Sequence, residues 1–255
     1  MSVHAPGEDP LVFDLGTGLR YFGCQLDSSV DNLNVLVSHL HWDHIQGLPF
    51  LPQLQRDDCS INLWAPAQGN GRTAKDCLHA AICQPMFPVA LETIGAEVVV
   101  HDVEPSNWQI GSFTVQAANV PHIGPTLGYR VTYEGRSVVY ISDHQAPSDP
   151  AQFAPEVVGL CENADVLIHD AQFTDIDYVG HEHWGHCRIE YAFSLAVATG
   201  VSTLVLFHHD PSRSDDELDA IEVEYKVRGG ECGLNVVVAR EGMELLIPCH
   251  AGSHA

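Results

Sequence analysis

The sequence predicts a mixed α/β or α+β fold built in layers, and two observations support this prediction. Short apolar or β-branched runs, typical of strands, alternate along the chain with longer helical patterns. The 255 residues are 45% hydrophobic, which is enough to bury one large core. Neither an internal repeat nor a long linker divides them, so we expect one domain over residues 1–255, with flexible ends at 1–10 and 250–255.

Ten runs have the composition of strands and three have the pattern of helices. The predicted strands are Leu11–Phe13, Val35–Ser38, Ile61–Ala65, Val98–His101, Phe113–Ala117, Leu127–Tyr133, Val138–Ser142, Val166–Ile168, Thr203–Phe207 and Leu234–Ala239. The predicted helices are Gly71–Ala81, Glu190–Ala198 and Asp215–Tyr225. Asp215 begins the last helix with acidic residues in its first turn, which favours the positive end of the helix dipole.

The charge balance argues against a nucleic-acid partner of large size. Lys and Arg together number 11 against 34 Asp and Glu, for a formal charge of −23. Cations supply most of the affinity for a polyanion, and no basic cluster is evident. No run approaches the roughly 20 apolar residues of a membrane-spanning helix. The polar segment Met1–Pro10 is unsuited to be a signal peptide. We therefore expect a cytoplasmic protein without a membrane partner.

Cysteine and histidine usage points to metal rather than to disulfides. The eight cysteines are scattered without a Cys-x-x-Cys pair, so we expect free, buried thiols. The sixteen histidines are numerous for this length and gather near acidic residues. Neutral imidazole and carboxylate are the usual ligands of divalent cations.

Four predicted strands end directly at a potential ligand or proton carrier. The residues that follow them are His39, Asp143, His169 and His208. Open α/β sheets place their sites beyond the carboxyl ends of strands, where the loops converge. We therefore expect these side chains to belong to one site.

The segment His39-Leu40-His41-Trp42-Asp43-His44 carries the strongest signal of this kind. In an extended segment His39 and His41 point to the same side and can bind one cation. Asp43 and His44 follow at a turn and can reach a second cation. The segment leaves each ion short of ligands, and His122, Asp143 and His208, which each follow a predicted strand, complete the set.

These motifs resemble the metallo-β-lactamase superfamily, and specifically its ribonuclease Z-like phosphodiesterase branch. The segment from Asp14 to Gly18 resembles the early Asp-x-Gly-x-Gly turn, and Ser38 to Pro49 resembles the His-x-His-x-Asp-His signature. The resemblance implies a four-layer αββα metallo-β-lactamase sandwich with two divalent ions, of which zinc is expected and manganese or iron are alternatives. It assigns His39, His41 and His122 to the first ion, Asp43, His44 and His208 to the second, and Asp143 to both.

Two later segments refine the implied chemistry. Leu167–Gln172 and Trp184–Cys187 resemble the branch's His-Glu-Ala-Thr and His-Ser-Thr segments, with Asp170 replacing Glu and Cys187 replacing Ser. By resemblance, His186 faces the scissile phosphate and protonates the leaving oxygen, while Asp43 orients a metal-bridging hydroxide. The roles of His169 and Cys187 stay open.

The function expected from the resemblance is hydrolysis of a small phosphodiester, such as a cyclic nucleotide. Ribonuclease Z carries a long tRNA-clamping arm between its later ligands, whereas only a hairpin, Gly128–Val139, fits between His122 and Asp143. The alternatives are hydrolysis of a lactone, β-lactam or thioester, tRNA 3′-processing, and a non-catalytic binding domain.

The short segment before the first predicted strand bears on assembly. Related chains carry another strand ahead of the part that matches Leu11–Gly18, and only ten residues precede it here, so either the edge of one sheet is shortened or the chain begins late. An unpaired sheet edge at Leu11–Phe13 would favour a homodimer.

Overall fold

A computed structural model describes residues 1–69, 71–149 and 152–248. The chain forms two compact units, Met1–Ser112 and Phe113–Ala255, and each contains strands and helices. The two sheets and their helices confirm the predicted α/β class. The single domain over 1–255 stays a prediction, and the end predicted to be flexible at 250–255 lies outside the described residues.

The first unit contains a five-stranded sheet whose spatial order follows the chain. The strands of this sheet are β1 (Ser2–Val3), β2 (Leu11–Phe13), β3 (Asn32–Leu36), β4 (Ser60–Pro66) and β5 (Glu97–Val103). The unit also contains β6 (Ser106–Ile110), which is not part of this sheet. Its helices are α1 (Leu19–Gln25), α2 (Trp42–Ile45) and α3 (Ala74–Ala81), with 3-10 turns at Leu48–Phe50, Pro52–Gln55 and Leu91–Thr93. Pairing is parallel from β2 to β5, and Leu33, Val35 and Leu63 of the central strands are fully buried.

The edge of this sheet differs from the sequence prediction. β1 pairs antiparallel with β2 through Ser2–Val12 and Val3–Leu11. The Phe13 N–H also donates to the Met1 carbonyl over 2.9 Å. The edge is therefore shortened, which was one of the two alternatives, whereas an unpaired edge at Leu11–Phe13 is wrong because the two-residue β1 pairs with it. The homodimer stays a prediction without that support.

The second unit contains strands β7 (Phe113–Asn119), β8 (Leu127–Tyr133), β9 (Arg136–Ile141), β10 (Val166–Asp170), β11 (Thr203–Phe207) and β12 (Asn235–Val238). Its helices are α4 (Pro155–Cys161), α5 (Ile189–Ala198) and α6 (Asp215–Cys232). The strands lie in the order β12-β11-β10-β9-β8-β7. β7, β8 and β9 are antiparallel, whereas β9 to β12 are parallel.

The parallel strands of the second unit end at a common edge. In register, His169 lies opposite both Ile141 and Leu206, and Asp170 lies opposite Phe207. Residues that follow β9 and β11 therefore emerge beside the end of β10, as expected for a site at the carboxyl ends of strands. One detail differs, because β10 continues to Asp170 and contains His169, which was expected to follow the strand.

Helix boundaries depart from prediction where local capping decides them. α3 begins at Ala74 after a capping box formed by Thr73 and Asp76, three residues later than predicted. α6 continues to Cys232 and ends at Gly233 with φ +79°, well beyond the predicted Tyr225.

Two further predictions can be compared with the described ranges. The helices there are too short or too polar to cross a membrane. The seven described cysteines are free thiols, but only Cys59, Cys161 and Cys187 among them are buried, whereas Cys77 and Cys83 are half-buried and Cys24 and Cys232 are exposed.

Candidate metal centre

Each unit carries part of the predicted ligand set. In the first unit, His39 follows β3 and is 1% exposed, and its Nε2 lies 2.9 Å from Nδ1 of His41. Ser38 Oγ lies 3.0 Å from His39 Nδ1 and donates to Asp14 Oδ2 over 2.9 Å. With Nδ1 of His39 donating to that hydroxyl, Nε2 of His39 is the atom that can bind a cation together with His41.

Asp43 and His44 lie in the first turn of α2, directly after His41. His44 Nδ1 lies 2.8 Å from Asp14 Oδ2, and His44 Nε2 lies 3.1 Å from Asp43 Oδ2. Nδ1 of His44 donates to Asp14, which directs Nε2 to the side of the Asp43 carboxylate. The structure thus brings together all four predicted residues of this segment, while their role as ligands stays a prediction.

Asp14 supports this segment by accepting hydrogen bonds from Ser38 and His44, and its backbone conformation is strained. Its φ is +59°, in the left-handed region that residues other than glycine rarely adopt. Burial would raise the pKa of Asp14, but the His44 and His39 imidazoles and the hydrogen bonds from His44 and Ser38 outweigh it, so the pKa lies below its ordinary value. A buried carboxylate that stays charged can hold both the Ser38 and His44 donors in place.

Gly16 and Gly47 allow the turn after Asp14 to approach the segment from His39 to His44 closely. The Leu15 N–H donates to the His44 carbonyl over 2.8 Å, and the Gly47 N–H donates to the Leu15 carbonyl over 2.7 Å. A Cβ atom on Gly47 would lie within 2.7 Å of backbone atoms of Leu15 and Gly16. The two segments therefore fit together only when position 47 has no side chain.

In the second unit, Asp143 lies at the centre of three imidazoles. Its carboxylate oxygens lie 3.7 Å from His122 Nε2, 3.7 Å from His186 Nδ1 and 3.6 Å from His208 Nε2. Asp143 itself is 2% exposed. These separations exceed hydrogen-bond length and suit groups that share a cation. His208, a residue of the predicted set, follows β11 with φ +55°, in the same strained left-handed region as Asp14.

His122 is oriented by the loop that precedes His186. Its Nδ1 donates to the Gly185 carbonyl over 2.7 Å, and its side chain is 1% exposed. This bond selects the tautomer whose Nε2 faces Asp143. Metal-binding histidines characteristically donate their second ring N–H to a carbonyl or carboxylate.

His186 is held by Asp170 at the end of β10. Its Nδ1 lies 3.0 Å from Asp170 Oδ2, and its ring stacks on that of His208 at 4.9 Å between centroids. Burial raises the pKa of the Cys187 thiol well above its ordinary value, and this thiol donates to the Asp170 carbonyl over 3.0 Å. Asp170 and Cys187, which replace the Glu and Ser of the resembling motifs, therefore both form hydrogen bonds here.

Two buried histidines lie behind these residues. His144 Nδ1 lies 3.1 Å from His169 Nε2, and both residues are fully buried. Burial lowers the pKa of His169, and burial together with the His169 and His122 imidazoles lowers that of His144 well below its ordinary value. The lowered pKa values favour the neutral form of both imidazoles, which hydrogen-bond to one another behind the predicted ligands.

The donor sets fit divalent cations. In each unit, imidazoles whose Nδ1 is engaged by an oxygen acceptor lie beside a carboxylate, as in His44 with Asp43 and His122 with Asp143. Ring nitrogens and carboxylate oxygens are the ligands that zinc and its neighbours prefer. The sequence had not indicated Gln145, which hydrogen-bonds to the Gly185 N–H.

Comparisons with known proteins agree on one family. A family model described as a beta-lactamase superfamily domain matches residues 12–209. A ribonuclease Z from Haloferax volcanii is 24% identical over an alignment of 294 positions, gaps included, that covers 93% of this chain and 86% of that protein.

Two solved structures share the fold. The short form of human tRNase Z has a TM-score of 0.69 at 21% identity, over 97% of this chain and 91% of that one. A diphosphatase from the PhnP family has a TM-score of 0.67 at 16% identity, over 97% of this chain and 83% of that one. The chain belongs to the metallo-β-lactamase superfamily, in the ribonuclease Z-like branch that its motifs predicted, and is a metal-dependent hydrolase.

Proposed function

We propose that this chain is a dinuclear metal-dependent phosphodiesterase that acts on a small phosphodiester, such as a cyclic nucleotide. One observation carries the proposal: Asp143 lies 3.6–3.7 Å from three imidazoles, and one of these, His186, is held by Asp170. Asp143 is placed to share cations, and cations stabilise the charge that develops during phosphoryl transfer. His186, held by Asp170, is placed beside it to protonate the leaving group.

The proposed ligand assignment is the one that the resemblance to the superfamily implies. His39, His41 and His122 bind the first ion, Asp43, His44 and His208 bind the second, and Asp143 binds both. We propose zinc, since imidazole and carboxylate suit it, with manganese or iron as alternatives. When bound, such a pair supplies Lewis acidity and a water of lowered pKa. Asp43 orients that water.

His186 donates the proton to the leaving oxygen in this proposal. Since its Nδ1 donates to Asp170, Nε2 is the atom that faces the substrate and carries the transferred proton. The ligand atoms of Asp143, His186 and His208 also lie within 4.8 Å of one another, as ligands of one ion would. We prefer the acid role because Asp170 already engages the Nδ1 atom that is nearest to Asp143.

Two features support a small substrate. The formal charge is −23, which disfavours a long polyanion. β8 and β9 join through a tight turn at Glu134 and Gly135, with φ values of +47° and +77°, so a short hairpin occupies the interval where the resemblance places an RNA-clamping arm.

The second candidate function is tRNA 3′-processing. The similarity to ribonuclease Z over 93% of this chain favours it, and the human structural neighbour is a tRNase Z. It requires a basic RNA-binding surface from a chain that has only 11 Lys and Arg.

A substrate panel tests these candidates. Protein stripped with a chelator and reconstituted with Zn²⁺, Mn²⁺ or Fe²⁺ is assayed on bis-p-nitrophenyl phosphate, a 2′,3′-cyclic nucleotide, a precursor tRNA, a lactone and nitrocefin. We expect two ions per chain and turnover of the small phosphodiesters. Precursor tRNA cleaved with far higher kcat/KM would support the second candidate, and exclusive hydrolysis of the lactone or nitrocefin would refute both.

Matched variants link activity to the metal. His41→Ala and Asp143→Asn should lose bound metal and activity together, whereas His4→Ala, which removes an exposed histidine, should change neither. Full metal content with full turnover in Asp143→Asn would refute the dinuclear centre.

A further inference from the structure

We propose that Gln145 is a positioning residue that holds the loop before His186 against the metal ligand His122. The inference rests on the proposed metal centre, since it treats His122 as a ligand. Gln145 follows Asp143 by two positions and lies in the second unit with both histidines.

Gln145 uses its backbone and both ends of its side-chain amide. Its backbone N–H donates to the Pro121 carbonyl over 2.6 Å. Its Oε1 accepts from the Gly185 N–H over 2.8 Å, and its Nε2 donates to the Glu182 carbonyl over 2.7 Å. Because Oε1 faces an N–H and Nε2 faces a carbonyl, the two hydrogen bonds fix the orientation of the Gln145 amide. The residue thereby joins the segment before His122 to the loop before His186.

The Gly185 residue transmits this contact to His122. Its N–H is bound by Gln145, and its carbonyl accepts from His122 Nδ1 over 2.7 Å. Gly185 has φ +93°, and a Cβ there would lie 2.6 Å from atoms of the His122 ring. The imidazole therefore packs directly on the Gly185 backbone, and a rotation of this residue would displace the ring.

Loss of the Gln145 side chain would weaken metal binding through the hydrogen bonds of Gly185. Without the Gln145 acceptor, the part-buried Gly185 N–H loses its partner, and such a group costs free energy unless the loop rearranges. Rearrangement moves the carbonyl that selects the His122 tautomer. Loss of such an outer partner of a ligand typically weakens metal affinity about 10–100-fold. A neutral amide provides this support without adding charge beside the ligands.

The test measures metal affinity rather than activity alone. Gln145→Met keeps the side-chain length but removes both hydrogen bonds. Competition with a chromophoric chelator measures the affinity, and we expect one of the two Zn²⁺ ions to bind about 10–100-fold more weakly. We also expect kcat to fall while KM changes by a smaller factor. Gln152→Met, which changes an exposed glutamine bound to Asp149, should match the wild type.

Two further variants separate positioning from general damage. Gln145→Glu keeps an acceptor for Gly185 but loses the donor to Glu182, so its affinity should lie between those of the wild type and Gln145→Met. In a His122→Ala background, Gln145→Met should add little further loss, because both changes act on one ligand.

The outcomes are distinguishable. Unchanged affinity in Gln145→Met, equal affinities of the Glu and Met variants, or the same loss with and without His122 would each overturn the inference and leave the proposed function standing. A wild-type chain that binds no metal would overturn both.

Discussion

Asp170 reaches His186 although it is one methylene shorter than the glutamate of the resembling motif. Its Oδ2 lies 3.0 Å from His186 Nδ1 and also accepts from the His144 N–H over 3.0 Å, while Oδ1 accepts from the Gln172 N–H over 3.0 Å. Because β10 continues through Asp170, the strand itself carries the carboxylate to the edge where His186 lies. The pair has the geometry of a proton donor held by its orienting carboxylate.

Replacing His186 by Ala should lower kcat about 10²–10⁴-fold while two ions stay bound. The loss should be largest for esters with poor leaving groups, since a p-nitrophenolate departs without a proton. Asp170→Asn should lower kcat by a smaller factor, because the imidazole remains but loses its orientation. Metal analysis and kcat measured for a series of leaving groups check this prediction.

A different result for His186→Ala would reassign the residue. If the variant loses one ion, His186 is a ligand with Asp143 and His208, as their proximity permits. Equal losses for good and poor leaving groups would also contradict the acid role.

Asp14→Asn should weaken metal binding in the first unit about 10–100-fold. The amide cannot accept from Ser38 and His44 as the carboxylate does, so both donors lose part of their support. A chelator competition titration measures the loss. Asp27→Asn, which changes an exposed carboxylate bound to the Ser29 N–H, is the control, and equal affinities of the two variants would contradict the prediction.

Gly47→Ala should destabilise the protein by roughly 3 kcal/mol or more, because an added group in a closely packed position forces the backbone to shift. The new Cβ would meet backbone atoms of Gly16, which have little freedom to move. Gly159→Ala is the matched control, since its Cβ would enter open space within α4, and it should stabilise by about 0.5–1 kcal/mol. Urea unfolding measures both changes, and similar values for the two variants would contradict the prediction.

Much of the site could be predicted from the sequence, because the signals were local. His39, Asp143 and His208 each follow an apolar run, and the strands that precede them exist in the structure, with shifted ends. Asp43 and His44 occupy a helical turn that the pattern had indicated only as a turn.

The rest depends on contacts between distant segments. Gln145 bonds to Gly185 across 40 positions, and Asp14 bonds to His44 across 30, and no periodicity records either contact. β1 was missed because a strand of two residues is too short to show a pattern. α6 was ended too early because the pattern marked its start, whereas its end depends on the left-handed Gly233.

Glu190 joins α5 to α6 and gives the second unit a pH-dependent contribution to stability. Arg228 binds both of its carboxylate oxygens, over 2.8 and 2.7 Å, and the Tyr225 hydroxyl donates to Oε2 over 3.1 Å. The hydrogen bonds from Arg228 outweigh partial burial and hold the pKa of Glu190 below its ordinary value. The charged carboxylate is thus favoured in the folded state.

The sign of the pH effect follows from this lowered pKa. The contribution is fully present above the unfolded-state pKa, about 4.3, and is lost as pH falls through the lower folded-state pKa. At pH 7 we expect Glu190→Gln to be less stable than the wild type by roughly 1 kcal/mol, the upper end for exposed pairs. Urea unfolding from pH 7 to 3 should show the two converging, and in an Arg228→Leu background the pH-dependent difference should disappear. A difference that stays constant to pH 3 would mean that packing, rather than the ion pair, accounts for the loss.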